Sequence, residues 1–238
     1  LDVRAGDDKG RIYRVYPKGE KLQPLQDLTK IKTTKLVALL ETSNGTERDL
    51  IHRELYQRNH VLPGSPRQNP DLAAIEPLKK LTVTTKNHAV KIQALSALDG
   101  LNALPADLVI AALKDSDEHV RENAIRLSEP FLRANDSAVG EALLQFANDS
   151  EYRVRFQLAL SLGEWNDPRS GKLLGEMAKK YLGDAWMRAA ILSSAKPFSG
   201  EILEAVLTLA PETPGRDEAV SALIATASDS QNPKAFET

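Results

Sequence analysis

Three acidic residues lie close together near the middle of the chain: Asp115, Asp117 and Glu118. Carboxylates at this spacing could bind a hard metal ion or exchange protons with a substrate. The same pattern is ordinary at the start of a helix, where carboxylates accept hydrogen bonds from free backbone N–H groups. Glu118 follows Asp115 by three residues, as in a capping box. We therefore interpret the cluster as a helix cap rather than a metal or catalytic site, and we predict that Asp149 also caps a helix.

Histidine and cysteine, the other common catalytic and metal-binding residues, offer no site. The histidines are His52, His60, His88 and His119, and none lies in an H-E-x-x-H motif or at a comparable paired spacing. The G-x-S-x-G nucleophile motif and the glycine-rich nucleotide motifs are also missing. The chain has no cysteine, which excludes disulfides, thiolate metal sites and covalent haem attachment within it. We predict no metal and no cofactor.

One further set of residues could serve catalysis in a groove: Glu164, Trp165, Trp186 and Arg188. An enzymatic role would require these side chains to converge. Aromatic residues near the ends of helical hairpins more often pack between neighbouring repeats. We favour packing for Trp165, Trp186 and Tyr152, and keep the candidate groove as the alternative.

The acidic cluster belongs to a repeated unit. Residues 115–121 (DSDEHVR) align with residues 149–155 (DSEYRVR) at a shift of 34 residues. Arg188 marks a looser copy, and Ile125 and Leu158 lie on the apolar faces that follow. Val120 and Val154 precede the arginines of the repeat, and Ile125, Leu127, Leu158 and Leu162 are the predicted core positions.

Arginine recurs in the first turn of the second helix of each unit, at Arg121 and Arg155. The helix dipole disfavours a cation there. A ladder in which each arginine reaches an aspartate of the same or an adjacent turn would explain the pattern. Arginines that simply face solvent are the alternative.

Each unit is preceded by a second amphipathic stretch, and together these pairs form about six helical hairpins. The preceding stretches are Leu36–Leu40, Leu72–Leu81, Leu108–Leu113, Val139–Ala147, Leu173–Ala178 and Ile202–Leu209. A short hairpin cannot bury its apolar face alone, whereas a stack of hairpins shares one continuous core. The fold prediction is an all-α solenoid over residues 33–228, followed by a polar tail at residues 229–238.

Residues 1–32 have a different pattern, which predicts a turn, a β-strand and a linker. Residues 11–16 are a β-branched and aromatic run between two turns. A lone strand needs a sheet to satisfy its backbone, so we expect this strand to end an upstream β domain. Because the chain begins with Leu1 rather than Met, we expect a processed chain or a fragment.

Charge and hydropathy bear on nucleic acid and membrane as partners. Residues 1–35 hold nine Lys or Arg against five Asp or Glu, in a chain of net charge -2. We favour a solvated basic linker, so nucleic acid is not expected as a partner; binding through Lys9 to Lys35 is the alternative. The longest apolar run, Leu108–Leu113, is far shorter than the roughly 20 residues that span a bilayer, so no membrane insertion by this chain is predicted.

The D-S-x-x-x-V-R pattern at this spacing resembles the HEAT family, including bacterial HEAT repeats similar to those of phycobilin lyases, over roughly residues 33–227. Residues 6–15 also resemble the last strand of a sugar-dehydrogenase-type β-propeller. Residues 44–49, 95–101 and 124–129 are similar to planctomycete-type membrane-bound dehydrogenases, in which a propeller, HEAT repeats and a c-type cytochrome follow one another. This resemblance implies an extracytoplasmic HEAT linker, with the redox chemistry on no residue of this chain.

The leading hypothesis is therefore a non-catalytic scaffold whose partners are proteins, either adjacent domains or another chain. A HEAT-fold lyase or glycosylase that uses the candidate groove is the enzymatic alternative. Nucleic-acid binding is the third hypothesis.

Overall fold

The computed structural model describes residues 18–19, 26–60 and 71–229, and every regular element in these ranges is helical. The α-helices are α1 (Thr33–Leu39), α2 (Gly45–Asn59), α3 (Ile75–Thr84), α4 (His88–Gly100), α5 (Ala106–Leu113), α6 (Glu118–Arg133), α7 (Ser137–Leu143), α8 (Tyr152–Ser161), α9 (Pro168–Tyr181), α10 (Ala185–Ser193), α11 (Ser199–Leu207) and α12 (Arg216–Asp229). Short 3-10 helices lie at Leu28–Lys30, Leu72–Ala74, Leu144–Asn148, Leu162–Glu164 and Lys196–Phe198. The strand predicted at residues 11–16 lies outside the described residues.

The helices pair in chain order into six hairpins, α1 with α2 through α11 with α12. Successive second helices, from α2 and α4 to α10 and α12, contact one another along the stack. Three pairs of neighbouring first helices also contact each other: α1 with α3, α5 with α7 and α9 with α11. The all-α solenoid of about six hairpins is therefore confirmed.

Aspartate or asparagine starts most of the longer helices by accepting backbone N–H groups. These N-caps are Asn44, Asn87, Asp117, Asp136, Asp167 and Asp184. The capping roles predicted for Asp115 and Asp149 are wrong, because α6 is capped by Asp117 and α8 follows Glu151, whose side chain makes no capping bond. Asp115 and Asp149 lie two residues earlier, in the loop, where each accepts from the amide two residues on.

The core consists of two hydrophobic clusters that meet near α4 and α5. One cluster extends from Leu36 to Leu101 and the other from Leu95 to Leu223, and the partly buried Leu104 and Leu108 pack against both. The four predicted core positions Ile125, Leu127, Leu158 and Leu162 are all buried. Each such side chain contributes about 1.5–3 kcal/mol to folding through apolar burial.

Trp165 packs the loop between α8 and α9 against α7. Its side chain is 1% exposed. The ring lies against the backbone of Gly140 in α7, where an added β-carbon would stand 2.3 Å from ring atoms. The absence of a side chain at Gly140 therefore makes room for the largest aromatic ring of the core.

Candidate protein-interaction surface

A ladder of ion pairs connects one hairpin to the next along the loops between first and second helices. Lys91 Nζ lies 2.5 Å from Asp115 Oδ2 of the following hairpin. Arg121 reaches Asp149 in the same way with two hydrogen bonds, Nε to Oδ2 at 2.9 Å and Nη2 to Oδ1 at 3.0 Å. The predicted ladder is thus present at Arg121, and both Lys91 and Arg121 pair with the aspartate of the adjacent hairpin.

The ladder arginines also bind the loop of their own hairpin. In four hairpins an arginine Nη1 donates to the carbonyl oxygen six residues earlier: Arg48 to Thr42, Arg121 to Asp115, Arg155 to Asp149 and Arg188 to Leu182. These carbonyls lie beyond the end of the first helix and lack intrahelical donors. An arginine in the first turn of the second helix therefore stabilises the loop that precedes it, which offsets its unfavourable position in the dipole.

The ladder shifts the ionisation of its members. Burial opposes ionisation of Asp149, but hydrogen bonds from Arg121 and from the Glu151 amide outweigh it and lower the pKa of Asp149. The pKa of Asp115 is lowered by the same balance, with Lys91 as the side-chain donor. The hydrogen bonds to Asp149 raise the pKa of Arg121. Both carboxylates are therefore ionised at neutral pH.

The ladder changes character at Arg155. Leu182 occupies the position that corresponds to Asp149, so this step lacks a carboxylate, and Arg155 makes no salt bridge in the described part of the chain. Its guanidinium instead lies 5.4 Å from the ring centre of Tyr181 and 5.9 Å from that of Tyr152. Cation–π contacts replace the ion pair at this hairpin.

Large apolar side chains are exposed on the second helices of the last three hairpins. Trp186 is 76% exposed, Ile224 47%, Tyr152 41% and Leu160 37%. Asp184 Oδ1 accepts from both the Tyr152 hydroxyl, at 3.2 Å, and the Trp186 amide, at 2.9 Å. The Tyr152 hydroxyl is therefore held beside the start of α10, where Trp186 is exposed, and we call the surface around Tyr152 and Trp186 the Trp186 face.

Trp186 points outward because of its place in the repeat. It directly precedes Met187, which is fully buried as Val120 and Val154 are. The residues before those two valines are His119 and Arg153, whose Nδ1 and Nη1 atoms lie 3.0 Å apart. Trp186 thus continues an exposed row, and the predicted packing role for Trp186 is wrong, whereas that for Trp165 is correct. Aligning residues 186–188 with the two central repeats, so that Met187 matches Val120 and Val154, would have placed Trp186 in this row.

The candidate groove residues Glu164, Trp165, Trp186 and Arg188 each have different surroundings. Glu164 pairs with Arg133 on α6, at 2.9 Å. Trp165 is buried, and Arg188 binds the Leu182 carbonyl. Trp186 alone of the four is largely exposed. The contacts bring no two of these side chains together, so the set does not form the converging site that an enzyme would need.

The acidic residues near α6 likewise have separate partners. Asp115 pairs with Lys91, whereas Asp117 caps α6 and lies 2.5 Å from His88 Nδ1. Glu118 lies 3.6 Å from His119 Nε2. Across residues 26–60 and 71–229, no cluster of three histidine or acidic side chains could hold a metal ion.

Two other predictions concern partners. Within the ranges that the structure describes, none of the helices has both the length and the apolar character to cross a bilayer. The basic stretch from Lys9 to Lys35 falls largely outside these ranges, so nucleic-acid binding there stays a hypothesis.

Comparison with known proteins supports the repeat assignment. The family model described as HEAT repeats matches residues 105–196, the three hairpins from α5 to α10. These central hairpins therefore have the sequence pattern of HEAT repeats, as the D-S-x-x-x-V-R motif predicted. No curated protein matches the chain in sequence, and the comparisons do not support the narrower resemblance to planctomycete dehydrogenases.

Two solved structures share the fold. A designed armadillo repeat protein is 14% identical, with a TM-score of 0.52 over 82% of this chain and 99% of the designed chain. An engineered protein known from a crystal structure is 16% identical, with a TM-score of 0.54 over 86% of this chain and 100% of the other. At this identity the likeness concerns the fold alone.

Proposed function

We propose that this chain is a non-catalytic HEAT-type scaffold that binds a protein partner through the Trp186 face. The observation that supports the proposal is the 76% exposure of Trp186 on a packed helix. Tryptophan and tyrosine dominate the binding energy of many protein interfaces, because each buries a large area with little loss of side-chain freedom. An exposed tryptophan beside an exposed tyrosine therefore marks a contact surface.

The backbone of this surface is ordered before any partner arrives. Asp184 accepts the amides of Trp186 and Met187, both at 2.9 Å, and Met187 is anchored in the core. Preorganisation of this kind reduces the entropy lost on binding.

The sequence resemblance in residues 6–15 suggests a more specific setting. We propose that the solenoid is the linker of an extracytoplasmic protein of propeller–HEAT–cytochrome c type, in which the partner is an adjacent domain. Sequencing the coding region on both sides tests this. Propeller blades before residue 1 and a C-x-x-C-H motif after residue 238 are expected, and unrelated flanking sequence would contradict the linker setting.

Site-specific photo-crosslinking tests the binding surface. A benzophenone amino acid is placed at Trp186 in the cells that produce the protein, and adducts are identified by mass spectrometry. Leu72 is the matched control, because it is 57% exposed but lies in the 3-10 helix Leu72–Ala74, at the other end of the solenoid from Trp186 in chain order. We expect a discrete protein adduct from position 186 only. The same adducts from both positions, or none from position 186, would reject the proposal.

Binding affinities then measure how much Trp186 contributes to the free energy of binding. With the partner identified by the adduct, Trp186→Ala should weaken binding by more than about 30-fold, equivalent to about 2 kcal/mol for an interface hot spot. Leu72→Ala should leave the affinity unchanged.

A further inference from the structure

Three clefts follow one another along the solenoid edge where the first helices end. The first, of about 200 Å³, lies among α3, α4 and α5. The second, of about 310 Å³, lies between the end of α5 and the 3-10 helix Leu144–Asn148. The third, of about 460 Å³, lies between that 3-10 helix and α9. Asp115 lines both the first and the second cleft, and Asn148 both the second and the third. They form one continuous feature, the loop-edge groove.

Apolar side chains contribute to the lining of every cleft. Val83 and Leu108 line the first, Phe146 the second, and Leu173 and Met177 the third. Val83 is 72% exposed at the rim. Each cleft can therefore bury an apolar side chain from a partner.

The charges that line the groove are predominantly basic. Five are cations, Lys91, Lys114, Arg121, Lys179 and Lys180, and three are carboxylates, Asp115, Asp149 and Glu176. All three carboxylates already pair with a cation of the same groove.

Two cations of the groove have no acidic partner. Lys114 and Lys180 make no salt bridge within residues 26–60 and 71–229, and Lys180 Nζ lies 3.5 Å from the Asn148 amide oxygen. The groove is therefore locally positive in a chain of net charge -2.

The spacing of the clefts sets the period of a matching ligand. Neighbouring clefts are separated by one helix, and packed helices lie about 8–10 Å apart. A polyproline II segment advances about 3.1 Å per residue and turns once every three residues, which is about 9 Å. One side chain in three would then meet successive clefts, while the others face the lysines.

We propose that the loop-edge groove binds an extended, acidic segment of a protein partner, with an apolar side chain at every third position. This surface involves none of the exposed side chains of the Trp186 face. The solenoid would then hold two protein segments at a fixed separation. Binding at the loop-edge groove does not depend on whether the Trp186 face binds a partner.

Fluorescence anisotropy with defined peptides tests the proposal. The probe is a fluorescein-labelled peptide of four Leu-Pro-Glu repeats, and the comparison peptides replace every Glu by Lys or every Leu by Ser. We expect the Leu-Pro-Glu peptide to bind at least about tenfold more tightly than either. The affinity should also fall when salt is raised, because salt screens the lysines.

Charge reversal locates the site. Lys114→Glu combined with Lys180→Glu should weaken the Leu-Pro-Glu peptide at least about tenfold. Lys35→Glu with Lys80→Glu makes the same change of net charge at exposed lysines on α1 and α3, outside the groove lining, and should alter affinity less than about twofold. Circular dichroism checks that both variants fold.

Several outcomes would overturn the proposal. These are equal binding of the Lys-containing peptide, equal weakening by the two double variants, and no binding of the Leu-Pro-Glu peptide up to its solubility limit. Trp186→Ala should leave this binding unchanged, so a loss there would place the peptide on the Trp186 face instead. None of these results bears on the crosslinking test at Trp186.

Discussion

Arg121 donates two hydrogen bonds to the Asp149 carboxylate of the next hairpin, at 2.9 and 3.0 Å. Its third nitrogen, Nη1, donates to the carbonyl oxygen of Asp115 in the loop of its own hairpin. One side chain therefore fixes a loop and the position of the adjacent hairpin. The side chains are only 13% and 8% exposed, respectively, so water screens the pair weakly.

Replacing Asp149 by asparagine should reduce the free energy of unfolding by about 1.5–3 kcal/mol, the range for hydrogen bonds to charged groups. The reason is that Arg121 would keep a neutral acceptor but lose its counter-charge. Urea unfolding of D149N, R121Q and the double variant gives the coupling energy. Strictly additive effects would show that the two residues do not stabilise each other.

Acid should weaken the solenoid through the same ladder. The pKa values of Asp115 and Asp149 are lowered in the folded protein, whereas an unfolded aspartate titrates near about 3.9. Their stabilisation is therefore complete above the unfolded pKa and is lost as pH falls through the folded pKa. We expect the urea concentration at the unfolding midpoint, measured from pH 6 downward, to decrease once the pH is below about 4. The variant D115N/D149N should show a flatter profile, and an identical slope would contradict the assignment.

The two tryptophans should differ in both fluorescence and stability. Trp165 is 1% exposed and Trp186 76% exposed. W186F should therefore leave a blue-shifted emission that acrylamide quenches poorly, and W165F a red-shifted, readily quenched one. Trp165→Ala should cost about 3–5 kcal/mol as a core truncation, while Trp186→Ala should change stability by less than about 0.5 kcal/mol. Similar quenching of the two variants would reject the burial pattern.

Gly140→Ala should destabilise the fold by about 1–3 kcal/mol, the usual cost of overpacking a core. The added β-carbon would stand 2.3 Å from the Trp165 ring, which outweighs the better helix propensity of alanine. Gly45→Ala is the control, because the nearest atom there is the far end of Arg48, at 3.6 Å; it should be neutral or slightly stabilising. In a Trp165→Leu background, which lacks the ring, Gly140→Ala should cost less stability than it does in the original chain. An equal cost in both backgrounds would show that the strain does not come from the Trp165 ring.

Ile125→Ala tests the shared core of the stack. Ile125 is fully buried, so truncation should cost about 2–5 kcal/mol. Urea melts measure the effect, with the exposed Val83→Ala as the reference. An unchanged midpoint for Ile125→Ala would mean that the hairpins do not share this residue as core.

Much of the fold was predictable because its determinants are local. The helical period, the alternation of two apolar stretches and the recurrence of Asp and Arg at a shift of 34 residues all lie within one or two hairpins. From these, Ile125, Leu127, Leu158 and Leu162 could be placed in the core, and a ladder through Arg121 could be predicted.

The candidate site was less predictable. Asp115, Asp117 and Asp149 all lie near helix starts, and a shift of two residues separates a cap from a ladder carboxylate. Which role each takes depends on whether a cation of the preceding hairpin, such as Lys91 or Arg121, comes within reach. That distance is a property of the stack and not of the local pattern.

The sequence by itself determined that short helices pair and bury their apolar stripes against the next pair, because that requirement follows from amphipathicity alone. Only the tertiary structure decided which tryptophan would be buried and which exposed. Trp165, in the loop between α8 and α9, is buried because α7 offers Gly140 as a bare backbone surface, whereas Trp186 is exposed because the adjacent Met187 takes the inward position. The packing partner of a side chain decides its burial, and here Trp165 meets that partner on α7, which the residues next to Trp165 in the sequence do not reveal.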